Sequence, residues 1–125
     1  MSIIKSHHPA KHIKSFKYAF SGIWHALLNE ANFRVQVVFT IIVVGLGFYF
    51  QISVSEWSVL ILASASLLSA EVINTSIENF IDFIFPEKSP VIKIVKDLSA
   101  GYVLINAIAM ALISTIIFGK YIFTI

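Results

Sequence analysis

Three apolar runs, each long enough to cross a bilayer, constrain this chain more than any other feature of its sequence. The first, residues 35–54 (VQVVFTIIVVGLGFYFQISV), is interrupted only by Gln36, Thr40, Gln51 and Ser53. As a helix it covers about 30 Å, the thickness of a hydrocarbon core. The second stays helix-compatible over residues 57–85 and would reach about 43 Å, so its polar end has to emerge from the core. The third occupies residues 98–123, after Asp97. With 58% hydrophobic and 13% charged residues in 125, and a mean hydropathy of +0.86, the composition excludes an ordinary soluble domain. The expected fold class is an all-α membrane protein, one integral-membrane domain over residues 1–125 with three transmembrane helices. Gly45, Gly47 and Gly101 suit close helix packing in lipid. There is no cysteine, which excludes a disulfide framework and thiolate metal sites.

The first 34 residues hold no apolar stretch of signal-peptide length. Residues 11–30 instead place Ile13, Phe16, Phe20, Ile23, Trp24, Leu27 and Leu28 at helical spacing, with Lys11, Lys14 and Lys17 largely off that stripe. This predicts an amphipathic helix on the membrane surface; the alternative is a helix packed on its own bundle. Lys5, Lys11, Lys14, Lys17 and Arg34 precede the first span, Lys88, Lys93 and Lys96 separate the second from the third, and only Lys120 lies at the far end. The positive-inside rule then makes the N-terminus and the second connection cytoplasmic. Trp24 and Trp57 read as interfacial anchors, and Asn106 and Ser114 as interhelical hydrogen-bonding groups. His7, His8, His12 and His25 could suggest a metal site, but their placement in a basic tail and on a surface helix argues against ligand roles.

Into the second run are cut Glu71, Asn74, Glu78 and Asp82, which fall within about 80° of arc on one helix face. Acids in a membrane helix are functional-site candidates, because desolvating them is unfavourable unless a cation, proton or partner compensates. Glu30, Arg34, Glu78, Asp82, Lys96 and Asp97 gather at the cytoplasmic interface, where soluble nucleotides reach. Carboxylates without cysteine suit a hard divalent ion such as Mg²⁺, often shared with substrate phosphates, and Lys96 beside Asp97 suits a phosphoryl group. Phosphoryl transfer at a membrane surface is therefore indicated, although neither a Walker-type loop nor a protein-kinase motif is present. Two other classes compete. A non-catalytic proton- or ion-conducting bundle would spread acids through several spans, whereas these cluster at one interface; in an assembly subunit Glu71 and Glu78 would merely pair with a partner's lysines.

The stretch Glu71-Val-Ile-Asn74-Thr-Ser-Ile-Glu78-Asn-Phe-Ile-Asp82, followed by Lys96-Asp97-Leu-Ser-Ala-Gly and preceded by Asn29-Glu30-Ala-Asn-Phe33-Arg34, resembles the signature of the small prokaryotic diacylglycerol kinase family. The likeness runs from Lys11 through the third span. It implies a homotrimer in a bacterial cytoplasmic (inner) membrane, with active sites shared between subunits, and substrates that are ATP and a membrane lipid, not nucleic acid. By position, it implies Glu71 as the catalytic base at the lipid hydroxyl, and Glu30 and Glu78 as ligands of the Mg²⁺ that bridges to ATP. It also implies nucleotide contacts from Tyr18, Glu87, Lys88, Ser89, Lys96 and Asp97, with Asn74 orienting groups in the site. Ser89, where many members carry histidine, and Phe83, where some carry a basic residue, depart from the pattern. The family has a diacylglycerol branch and an undecaprenol branch; Ser15–Phe20, Asn74-Thr75 and Asp97–Gly101 resemble the second somewhat more. Asp82 reads either as a partner for a lysine or as a solvated helix end.

Overall fold

The computed structural model describes residues 9–123, which form four helices: α1 (Pro9–Asn29), α2 (Ala31–Phe50), α3 (Val54–Ile84) and α4 (Pro90–Ile122). The last three are long and apolar enough to cross a membrane, so the protein is multi-pass and all-α. Backbone polar groups have no water to bond in hydrocarbon, and a helix satisfies them within one segment. The spanning helices differ from the apolar runs at their ends. α2 begins four residues before residue 35, and α4 begins eight before residue 98, because a helix continues through polar residues that a hydropathy reading assigns to water. At about 46 and 50 Å, the 31 residues of α3 and 33 of α4 both overrun a hydrocarbon core.

Each junction has a local cause. Glu30 alone is non-helical between α1 and α2 (φ −108°, ψ 108°). There the Arg34 guanidinium donates to the Leu27 and Leu28 carbonyls at 3.2 and 2.9 Å, so a cation caps the negative end of α1. α2 stops where Gln51 takes the left-handed conformation (φ 51°), with Ile52 N–H donating to the Gly47 carbonyl. Ser53 and Glu56 then form a reciprocal capping box that starts α3. Between α3 and α4, Pro86 and Pro90 bracket a short loop, and Pro90 heads α4, where a missing N–H costs nothing.

α3 is the central helix, packed along its length on α4 and less extensively on α2. The core joins Val43, Ile52, Leu60, Leu67, Met110, Ile117 and Phe118. In α1 only Ala26 is buried; Ile13, Phe16, Phe20, Ile23, Trp24 and Leu28 stay exposed, which opposes packing of α1 on its own bundle. The up-and-down order puts Glu30, Arg34, Glu78, Asp82, Lys88, Lys93, Lys96 and Asp97 at one end, and Glu56 with Lys120 at the other. Lys5, His7 and His8 lie outside the described residues. Two expectations are corrected. The Asn106 amide donates to the Tyr102 carbonyl of its own helix at 2.9 Å, and the Ser114 hydroxyl is buried without a partner, so neither links helices within the chain. An amide one turn above a helical carbonyl finds that carbonyl before it finds a neighbouring helix.

Candidate active site

The acidic face of α3 grades from buried to open. Glu71 is 2% exposed and Asn74 7%, Glu78 is half-buried, and Asp82 is open to water. Helical rise sets Glu71 about 10 Å deeper than Glu78, so the stripe runs from the interior to the polar end. The Glu30 and Glu78 carboxylates both lie within electrostatic range of Glu71. Glu30 comes to this place as the N-cap residue of α2. Its side chain makes no capping hydrogen bond, and a carboxylate is favoured at that positive helix end.

Two hydrogen bonds from other helices hold the stripe. Gln36 of α2 donates from Nε2 to Glu71 Oε2 at 3.1 Å. The Ser99 hydroxyl of α4, itself buried, donates to Asn74 Oδ1 at 2.7 Å, and Asn74 Nδ2 reaches Glu78 Oε1 at 3.4 Å. A carboxylate only accepts, so it turns the Asn74 amide nitrogen toward Glu78 and leaves Oδ1 for Ser99. Asn74 thus bridges Ser99 of α4 and Glu78 of its own helix. Gln36 and Ser99 were not singled out from the sequence. A buried Glu71 demands a donor, and a glutamine set within an apolar run is the signal that could have identified one.

The expected nucleotide residues fall into two places. Glu87, Lys88, Ser89, Lys96 and Asp97 line one cavity of about 600 Å³ together with Asp82, Lys93, Phe85, Pro86 and Pro90. A neighbouring cavity of about 690 Å³ shares that loop but is walled by Ile81, Ile84, Val91, Ile92 and Val95. Within the first, Lys96 pairs with Asp82, the lysine partner that was one of the two readings of Asp82, and Lys93 pairs with Asp97 at 2.6 Å. Tyr18, 70% exposed on α1, lines neither cavity. His12 is exposed, and His25 is exposed with its carbonyl and ring nitrogen engaged by Asn29. Among the described residues no three His, Asp or Glu side chains form a self-sufficient metal cluster.

A buried acid in a spanning helix, two further acids within electrostatic range of it and a lysine-bearing cleft therefore share one end of the bundle. The chain matches the family model of prokaryotic diacylglycerol kinase over residues 17–118, a range that contains all of these parts. It is 34% identical to the undecaprenol kinase of Bacillus subtilis over 105 residues, 84% of this chain and 85% of that one. It is 32% identical to a diacylglycerol kinase of Helicobacter pylori over 86% of this chain and 81% of that one. With a diacylglycerol kinase of Synechocystis it shares 30% identity over 79% of this chain and 57% of the longer relative. The acidic stripe and the loop beside it thus sit inside a likeness that takes in most of the molecule, and the chain belongs to the prokaryotic diacylglycerol kinase family.

Proposed function

We propose that the chain is an ATP-dependent lipid kinase that transfers the γ-phosphate of ATP to the hydroxyl of a membrane lipid, diacylglycerol or undecaprenol. The observation that carries this reading is the position of Glu71: a carboxylate buried in a spanning helix, beside Glu30 and Glu78, in a chain of this family. Glu71 takes the proton of the lipid hydroxyl as that oxygen attacks phosphorus. Phosphoryl transfer otherwise asks the protein mainly for positioning and charge neutralisation. Glu30 and Glu78 offer only oxygen donors, which fits Mg²⁺, an ion that takes one or two carboxylates and keeps waters and substrate phosphates as its other ligands. When bound there, the ion neutralises charge on the β- and γ-phosphates.

Lys96 and Asp97, with the Glu87-Lys88-Ser89 loop, provide the nucleotide cleft. Their pairs with Asp82 and Lys93 are exposed, and an exposed ion pair is worth only about 0–1 kcal/mol, so nucleotide phosphates displace them readily. Tyr18 on the surface helix and the cleft residues come together in a homotrimer whose sites lie between subunits. The extensive exposed apolar surface of all four helices leaves room both for lipid and for such neighbours. The basic residues at the cleft end support a cytoplasmic side for that end, and the membrane on this reading is a bacterial inner membrane. The test uses purified protein in mixed micelles with labelled ATP and Mg²⁺, offering diacylglycerol and undecaprenol separately. Label on either lipid supports the kinase, its ratio between the two names the substrate, and label on neither refutes the reading.

A further inference from the structure

Gln36 sits in the second turn of α2 and carries two amide atoms with different fates. Nε2 donates to Glu71 Oε2 at 3.1 Å, while Oε1 is shut off from water and has no hydrogen-bond partner. An orphaned buried acceptor weakens a fold, so packing does not account for a glutamine here. What the amide does for Glu71 does. One planar group holds both a donor and an acceptor, and its terminal torsion has two broad wells half a turn apart.

Those two wells match the two states of a base. As a carboxylate, Glu71 only accepts, and Nε2 supplies the donor it needs. In the transfer, the lipid O–H bond breaks and its proton passes to a Glu71 oxygen. The freed electron pair on the lipid oxygen bonds to the γ-phosphorus, and the bridging P–O bond breaks with its electron pair leaving on ADP. Glu71 is then a neutral acid with a hydroxyl to place in a buried site, and Oε1, turned toward it, accepts that hydrogen.

We propose that Gln36 is a positioning residue, which orients the Glu71 carboxyl before proton transfer by donating to it and afterwards by accepting from it. The inference rests on the reading of Glu71 as the base of a lipid kinase. It commits to consequences that a structural glutamine would not have. Gln36→Met keeps the side-chain length and removes both polar atoms. In purified full-length protein in mixed micelles, Gln36→Met is expected to stay folded at the assay temperature, because losing the orphaned acceptor offsets part of the cost of leaving Glu71 without its donor. Its kcat is expected to fall between about 10- and 100-fold, the cost of a misplaced reacting group. KM for ATP stays near the wild-type value, since Gln36 bonds Glu71 and is not among the residues that line the nucleotide cleft. A lowered melting temperature with activity lost in proportion to the unfolded fraction would make Gln36 structural and overturn the proposal, as would a wild-type kcat. A wild-type chain active on lipid with an unimpaired Gln36→Met removes the proposal alone; a wild-type chain that phosphorylates neither lipid removes the kinase reading and the proposal with it.

Discussion

Glu71, Asn74, Glu78 and Asp82 do different work because one helix carries them through different surroundings. Spacings of three, four and four residues keep them on one face, while each step of about 1.5 Å along the axis brings the next closer to water. Glu78 stands where oxygen ligands can meet a solvated ion, tethered through Asn74 to Ser99. Glu78→Gln halves the carboxylate donors of the proposed site, so the Mg²⁺ concentration for half-maximal activity should rise by about 10-fold or more; an unchanged Mg²⁺ titration would remove Glu78 from the ligand set. The stripe was legible in the sequence because helical period alone puts those four residues together. Gln36 and Ser99 were not, because their bonds cross between helices. Such a bond depends on the axial register of α2 and α4 against α3, and no local periodicity fixes register.

At the scale of elements, the end far from the site is where the hairpins are fastened. Glu56 accepts from Ser53 N–H and from the Tyr121 hydroxyl, both at 2.8 Å, and pairs with Lys120, so one carboxylate caps α3 and ties it to the end of α4. Glu56→Ala should lower the melting temperature, yet leave kcat within about twofold, because Glu56 lies about 22 Å of helical rise from Glu71 and distant sites couple weakly. A large fall in kcat with intact folding would contradict that separation. Gly47 lies under the Trp57 ring, and a Cβ there would sit 2.7 Å from Trp57 Cη2. Overpacking of this kind costs about 1–3 kcal/mol, against the roughly 1 kcal/mol that alanine gains over glycine in a helix. Gly47→Ala should therefore lose about 1 kcal/mol in thermal or denaturant unfolding, and a gain would show that Trp57 moves aside freely. The sequence allowed for close packing at Gly47 but could not name Trp57 as the neighbour. Hydropathy found the spans and misplaced their ends, since it marks what suits lipid, whereas Ser53, Gln51, Glu30 and the two prolines decide where helices start and stop.

For the whole molecule, the fold is a thin bundle with one chemically equipped end. Large apolar side chains such as Phe48, Leu62, Leu104 and Ile116 remain exposed, as expected where lipid or neighbouring subunits supply the apolar surroundings that water supplies to no one. Three spans and an up-and-down order were readable from composition and run length; the break between α1 and α2 at the single residue Glu30 was not, because hydropathy does not mark a helix end. Sidedness has a direct check, since the chain has no cysteine of its own. Lys88→Cys and Gln51→Cys, each alone in inverted and right-side-out vesicles, should react with a membrane-impermeant maleimide from opposite sides, Lys88→Cys from the cytoplasmic face; reaction from the same side would overturn the topology. The proposed role of Glu71 as the base is open to the most direct measurement. Label transfer from γ-labelled ATP to extracted lipid, compared between the wild-type chain and Glu71→Gln, should show phosphorylated lipid for the first. For the second, the rate should be lower by about 10²–10⁴-fold, the usual contribution of a positioned base, with ATP binding retained. Near-normal turnover in Glu71→Gln would contradict the account.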